Sequence, residues 1–163
     1  MLDNKDIFYL NKNEILDILS KIDDVIFVGG TSEYLQGVKK ELNDIDIRIT
    51  NFENLISIGY IHKFNLDLFY GLSGNRGVIK LKNFLIDIFI ENDKPNFIII
   101  DNKYKCETIE SMINLREKTL KFSNFCDNRV LNKIKYNLIR LKKWKQFSSR
   151  TYNYRNRHWF YFN

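Results

Sequence analysis

Three aspartates carry the chemistry open to this sequence. Asp44 and Asp46 stand two apart in Asp44-Ile45-Asp46-Ile47-Arg48-Ile49, and Asp87 interrupts the apolar run Phe84-Leu85-Ile86-Asp87-Ile88-Phe89-Ile90. A carboxylate amid continuous apolar side chains is costly unless it is paired or metal-bound. Asp87 therefore needs a partner. One candidate is a divalent cation shared with Asp44 and Asp46; the other is a nearby Lys or Arg. By itself a D-x-D triplet also decorates any half-exposed strand. The turn Gly29-Gly30-Thr31-Ser32 upstream adds meaning to it. Glycines permit close backbone approach, amides opening the next helix can hold phosphate oxygens, and the Thr31 or Ser32 hydroxyl can add a donor. Phosphoryl transfer needs charge neutralisation and positioning more than covalent catalysis. Mg²⁺ takes oxygen ligands together with substrate phosphates. Two carboxylates on one strand face can bridge two ions about 3.5–4 Å apart, and a third beside them completes the set. That third carboxylate can also serve as general base. The enzymatic reading, which needs the three carboxylates to meet at divalent cations, fails if Asp87 points away from the other two or is tied up by a guanidinium; a basic-tailed α/β protein is what then remains.

The flanking pattern supplies elements to hold these residues. Val25-Ile26-Phe27-Val28 is short, β-branched and aromatic and predicts a buried strand stopped by Gly29. Thr31 to Gly37 predicts one or two helical turns closed by Gly37. The alternation over 44–49 predicts a strand with Asp44 and Asp46 on one face. Strands are expected at 77–82, 84–90 and 97–100, with a turn at Asp101-Asn102. A first helix is expected over 12–22, with Asn11 and Glu14 as a capping box. Two more are expected over 108–120 and 128–146, the last turning Val130, Ile134, Leu138, Leu141 and Trp144 inward. Residues 60–70 are ambiguous between helix and strand. This order predicts an α/β (α+β) domain: a small mixed sheet flanked by helices, followed by C-terminal helices. The expected division is a core over 1–105 and a basic helical part over 106–163, packed on that core.

The chain has 163 residues, 44% hydrophobic and 28% charged, with one Pro and seven Gly, the balance of one globular domain rather than a disordered or collagen-like chain. It contains no apolar run of membrane-spanning length, and its N-terminus is acidic and polar where a signal peptide would be basic and then apolar. With two cysteines, Cys106 and Cys126, an intracellular (cytoplasmic) protein with reduced, inert thiols is expected. Charge is unevenly spread. Residues 1–115 carry 13 Lys/Arg against 18 Asp/Glu, whereas 116–163 carry 13 against 2. Lys133, Arg140, Lys142 and Lys143, followed by the aromatics Tyr152, Tyr154, Trp159, Phe160 and Tyr161, suit phosphate contacts and base stacking. The alternative is a helix packed on the body with its lysines in solvent.

The segment VIFVGGTSEYLQGVKKELNDIDIRI resembles the signature of the polymerase-β-like nucleotidyltransferase superfamily: an apolar strand, a glycine turn, a short helix and a strand bearing D-x-D. The interval from Thr31 to Asp44, with Gly37 between, is similar to that of the minimal and AbiE-type toxin branches. The resemblance covers about Asp24 to Ile90. It implies that Asp44, Asp46 and Asp87 are the catalytic, metal-binding carboxylates and that Gly29, Gly30, Thr31 and Ser32 hold a nucleoside triphosphate. It further implies Mg²⁺ or Mn²⁺ as cofactor and attack of a hydroxyl on the α-phosphate with release of pyrophosphate. RNA, plausibly tRNA, or a protein would be the acceptor. AbiE-type members carry a Lys on a later helix; here Arg116 and Lys118 both stand in that region, and the helix after it holds no Asp. A rival expectation is a non-catalytic module of the same fold that binds RNA or serves as an interface in a toxin–antitoxin pair.

Overall fold

The computed structural model describes residues 7–58, 62–64, 75–121 and 127–157. Cys126, His158, the aromatic residues 159–161 and most of the ambiguous stretch 60–70 lie outside them. Seven strands among the described residues form one mixed sheet in the order β3-β4-β5-β2-β1-β7-β6. They are β1 (Ile26–Phe27), β2 (Ile45–Ile49), β3 (His62–Phe64), β4 (Asn75–Lys80), β5 (Leu85–Ile90), β6 (Phe97–Ile100) and β7 (Tyr104–Glu107). The helices are α1 (Lys12–Ser20), α2 (Gly29–Leu35), α3 (Ile109–Lys121) and α4 (Asn128–Arg157), with a 3₁₀ helix at Phe52–Ile58. The mixed α+β class expected from the sequence is the class observed.

The capping box at α1 forms as expected: Asn11 Oδ1 accepts from Glu14 N at 2.9 Å and Glu14 Oε1 accepts from Asn11 N at 3.2 Å. This satisfies two of the helix's orphan donors. The apolar stripe Ile15, Leu16 and Leu19 then buries itself with Ile45, Ile47, Ile49, Ile86 and Ile88 of β2 and β5. Those five isoleucines are wholly inaccessible to solvent, each worth about 1.5–3 kcal/mol on burial. Period two does the rest: burying odd residues of β2 turns Asp46 and Arg48 to the opposite face. Gly37, at φ +84°, closes α2. Gly37 N donates to Tyr34 O at 3.1 Å and Val38 N to Glu33 O at 2.8 Å, a Schellman pair.

β7 is absent from the sequence expectation, because Tyr104-Lys105-Cys106-Glu107 has no apolar run. It forms because Asp101 and Asn102 take φ +52° and +60° and reverse the chain, with Lys103 N donating to Ile100 O at 3.1 Å. That twist matches paired antiparallel strands, so β6 pairs β7, and β7 then lies parallel to β1. Residue 105, the expected domain boundary, falls within β7. The last helix is longer than expected, running to Arg157 rather than 146, since no Gly or Pro interrupts it. Helices α3 and α4 share the apolar cluster Met112, Ile113, Leu138 and Leu141, to which Val38 adds from the loop after α2. Among the described residues no helix is long and apolar enough to cross a membrane.

Candidate nucleotide and metal site

The parallel pairing of β2 with β5 sets Asp46 opposite Asp87. Residues opposite one another share a sheet face, so this register brings together two carboxylates that are 41 positions apart in sequence. Asp44 lies two residues before Asp46, at the mouth of β2, where its Oδ1 accepts from Leu85 N at 3.0 Å. All three line one cavity of about 380 Å³ with Gly29, Gly30 and Lys39.

The glycine turn lies against Asp46. Gly29 has φ +52°, and a Cβ on it would come within 3.3 Å of Asp46 Oδ2. On Gly30 a Cβ would meet Lys39 Nζ at 3.2 Å and Asp46 Oδ2 at 3.6 Å. Lys39 and Asp46 thus face the same spot, which only an absent side chain leaves open. Burial pushes the Asp46 carboxyl up to about 7, and Asp87 and Asp44 push in the same direction, against Lys39 and Arg76. Negative charge is crowded here, which an incoming cation would relieve.

The hydroxyls of Thr31 and Ser32, expected as phosphate donors, are bonded to groups of the chain itself. Both are fully buried. Thr31 Oγ1 accepts from Asp46 N at 2.7 Å and donates to Asp44 O at 3.3 Å, which clamps α2 to the D-x-D strand. Ser32 Oγ donates to Glu107 O at 2.6 Å and accepts from Gln36 Nε2 at 2.8 Å, which clamps α2 to β7. In a short helix packed against two strands, inward hydroxyls are consumed by backbone groups.

Asp87 departs from the expected metal ligand. Its carboxylate faces the other two, but it is held by a guanidinium: Arg76 Nε donates to Oδ1 at 2.7 Å and Nη2 to Oδ2. Arg76 lies on β4, diagonal to Asp87 across the strand pair, with its guanidinium 5.0 Å from the centre of the Phe89 ring. The partner that an interior strand carboxylate requires is therefore an arginine, and of the two expectations the ion pair is the one observed. Among the described residues no group of three or more His, Cys, Asp or Glu side chains is arranged to hold a metal ion. Asp44 and Asp46 offer hard oxygen donors next to an electrostatically crowded carboxylate. They fit one divalent cation whose remaining ligands are phosphate oxygens and water. The three-carboxylate, two-ion set does not fit while Arg76 occupies both oxygens of Asp87.

The four basic residues assigned to nucleic acid are not equivalent. Arg140 Nη2 donates to Glu33 Oε1 at 2.8 Å, and Glu33 is 1% exposed, so this arginine ties α4 to α2 rather than facing a polyanion. Lys142 pairs with Glu117 at 2.8 Å on the surface. Lys143 is exposed, and Lys133 reaches the cavity wall. Of the two α3 residues expected as candidates, Arg116 is 3% exposed and lines the cavity, whereas Lys118 lies in solvent. Sequence reasoning missed Lys39 and Arg76. Lys39 follows the glycine that ends α2, and Arg76 stands one residue before the strand expected at 77–82; neither position marks itself as part of a site. Cys106 is buried, which pushes its thiol up to about 12 and disfavours the reactive thiolate. Comparisons with family models, curated proteins and solved structures find no match to this chain.

Proposed function

We propose that the chain is a small nucleotidyltransferase, which moves a nucleoside monophosphate from a triphosphate to a hydroxyl and releases pyrophosphate. The observation that carries this reading is Asp46 set opposite Asp87, with Asp44 beside them, against a glycine turn inside a cavity whose wall also holds Lys39, Arg76, Arg116 and Lys133. The same wall holds Glu33, Glu41, Glu91 and Glu107, so a triphosphate needs a bound cation as well as these side chains to balance its charge. Mg²⁺ or Mn²⁺ held by Asp44 and Asp46 would neutralise charge on the reacting phosphate. The acceptor oxygen forms a bond to the α-phosphorus, the bond from that phosphorus to the bridging oxygen breaks, and the electron pair leaves with pyrophosphate. The three-carboxylate enzyme expected from the sequence fails on the Asp87–Arg76 pair; the reading proposed here is narrower, with the ion on Asp44 and Asp46 alone and Asp87 taking the acceptor proton only once Arg76 turns from it to the phosphates.

The Asp87–Arg76 pair favours a second reading: a non-catalytic module that binds a nucleotide or RNA through the same cations, or acts as a partner protein in a toxin–antitoxin pair. Incubation with each labelled nucleoside triphosphate, Mg²⁺ or Mn²⁺, and total RNA or protein separates the two. The enzyme labels one acceptor fraction, and Asp44→Asn and Asp46→Asn abolish labelling without unfolding the chain. Full labelling by either variant refutes the mechanism. Nucleotide binding that is indifferent to metal, with no labelled acceptor, establishes the second reading.

A further inference from the structure

A second groove, of about 700 Å³, lies beside the carboxylate cavity. Glu41, Leu42 and Asn43 line both, so this three-residue stretch is a shared wall that ends at Asp44. The groove runs between the start of α1 and the turn before β5. Its lining combines the aromatic rings of Tyr9, Tyr34 and Phe84, the lysines Lys12 and Lys40, and the amides of Asn11, Asn13 and Asn83. Tyr9 is 68% exposed. Its ring meets that of Phe8 edge-on, 5.1 Å between centres, and the exposed remainder of Tyr9 is of the kind that an unpaired base can stack on. Lys82 lies 5.6 Å from that ring, and Lys12 lies 5.8 Å from the ring of Phe84 while donating to Leu42 O at 2.6 Å. Phe84 is buried in the core and Tyr34 is half-buried, so the groove presents one open ring, Tyr9, with Lys82 close to it, the exposed Lys40, and the amides of Asn13 and Asn83, beside one carboxylate, Glu41. Asn11 is committed to the capping box of α1 and Lys12 to Leu42 O, whereas Tyr9, Asn13, Lys40 and Asn83 have no role described above.

We infer that this groove is the acceptor site and that it holds the terminal nucleotides of single-stranded RNA. An exposed ring takes an unstacked base, lysines track the phosphates, and amides can meet base edges. The shared wall places an occupant of the groove next to Asp44, where the acceptor hydroxyl has to arrive. This rests on the nucleotidyltransferase reading for its purpose, though not for its test. A duplex fits it poorly, because paired bases cannot stack on Tyr9.

The test uses the full chain, a fluorescent single-stranded RNA dodecamer and its duplex, and anisotropy titrations across a range of salt. Wild type binds the single strand in preference to the duplex. Tyr9→Ala loses roughly fivefold or more in affinity, and Tyr9→Phe retains it. Lys40→Ala combined with Lys82→Ala lowers the slope of log affinity against log salt by about 1.4, the value for two lost phosphate contacts. None of these variants changes affinity for nucleoside triphosphate, measured by calorimetry. A photoreactive 3′-terminal base crosslinks to the segment at 9–13 or 83–84. Groove variants that bind RNA within twofold of wild type, no preference over duplex, a crosslink on α4 instead, or a labelled protein acceptor each overturn the inference. Tyr9-dependent RNA binding without nucleotide transfer leaves the groove standing and removes the catalytic reading. Transfer to RNA that is indifferent to Tyr9 does the reverse.

Discussion

Replacing Asp46 by Asn makes the chain more stable at neutral and alkaline pH, and much less so in acid. The carboxyl is forced into a partly buried position beside Asp87 and Asp44, which raises its pKa from 3.8 to about 7. Stability is then fully present below the unfolded value of 3.8 and falls as pH rises toward about 7, because over that interval the folded state holds the proton and the unfolded state has lost it. The interval from 3.8 to about 7, at about 1.4 kcal/mol per pH unit, sets a ceiling of about 4 kcal/mol on the strain in wild type at pH 8. Asn carries no charge and escapes this penalty. Urea denaturation followed by tryptophan fluorescence should therefore show Asp46→Asn ahead of wild type by about 2–4 kcal/mol at pH 8 and by about 1 kcal/mol or less at pH 4.5. Glu107, which burial and not Asp46 pushes up, is common to both proteins and cancels in the difference. Millimolar Mg²⁺ should narrow the gap at pH 8 by stabilising wild type alone, since only wild type has the crowded carboxylate to offer. The reasoning is refuted if the advantage of Asn is the same at both pH values, or if Asn is less stable at each.

Other substitutions test the scaffold. Thr31→Val leaves the Asp46 amide without its 2.7 Å acceptor and should cost about 1–3 kcal/mol by chemical denaturation, with Thr31→Ser close to wild type. Arg140→Met strands the buried Glu33 carboxylate; because Arg140 is 27% exposed the loss should be about 2 kcal/mol rather than the full value for a buried pair, and adding Glu33→Gln should recover part of it. Gly29→Ala must hold φ +52° with a Cβ 3.3 Å from Asp46 Oδ2, so it should lose about 1–2 kcal/mol of stability. Its affinity for a metal–triphosphate complex, measured by calorimetry, should fall as well. Cys106 should resist a thiol reagent in the native state and react once urea unfolds the chain, which mass spectrometry can follow.

Much of the frame was legible along the chain, because local signals act over a few residues. The Asn11–Glu14 capping box, the closure of α2 by Gly37, the alternation that makes a strand of 45–49 and the reversal at Asp101-Asn102 all follow from period, capping and φ preference; Asp44, expected inside that strand, lies just before it. β7 escaped because its pairing with β1 lies 79 positions away at Phe27 and Cys106, and a four-residue strand with two charges has no local mark. Cysteine 106 fills that strand's buried side where an aliphatic run would have announced it.

The sequence by itself determined that three acidic side chains and a glycine turn exist, and that Asp87 must have a counter-charge, since an interior strand does not tolerate a bare carboxylate. Only the tertiary structure decided which counter-charge. The register of β4 against β5 carries Arg76 to the diagonal of Asp87, and the register of β5 against β2 carries Asp87 to Asp46. Likewise Thr31 and Ser32 read as free hydroxyls along the chain, and packing of α2 between β2 and β7 spends both on backbone groups. The physical reason is the same in each case: a residue's type sets which partners it needs, whereas strand register and helix packing, fixed by contacts far apart in sequence, choose among them.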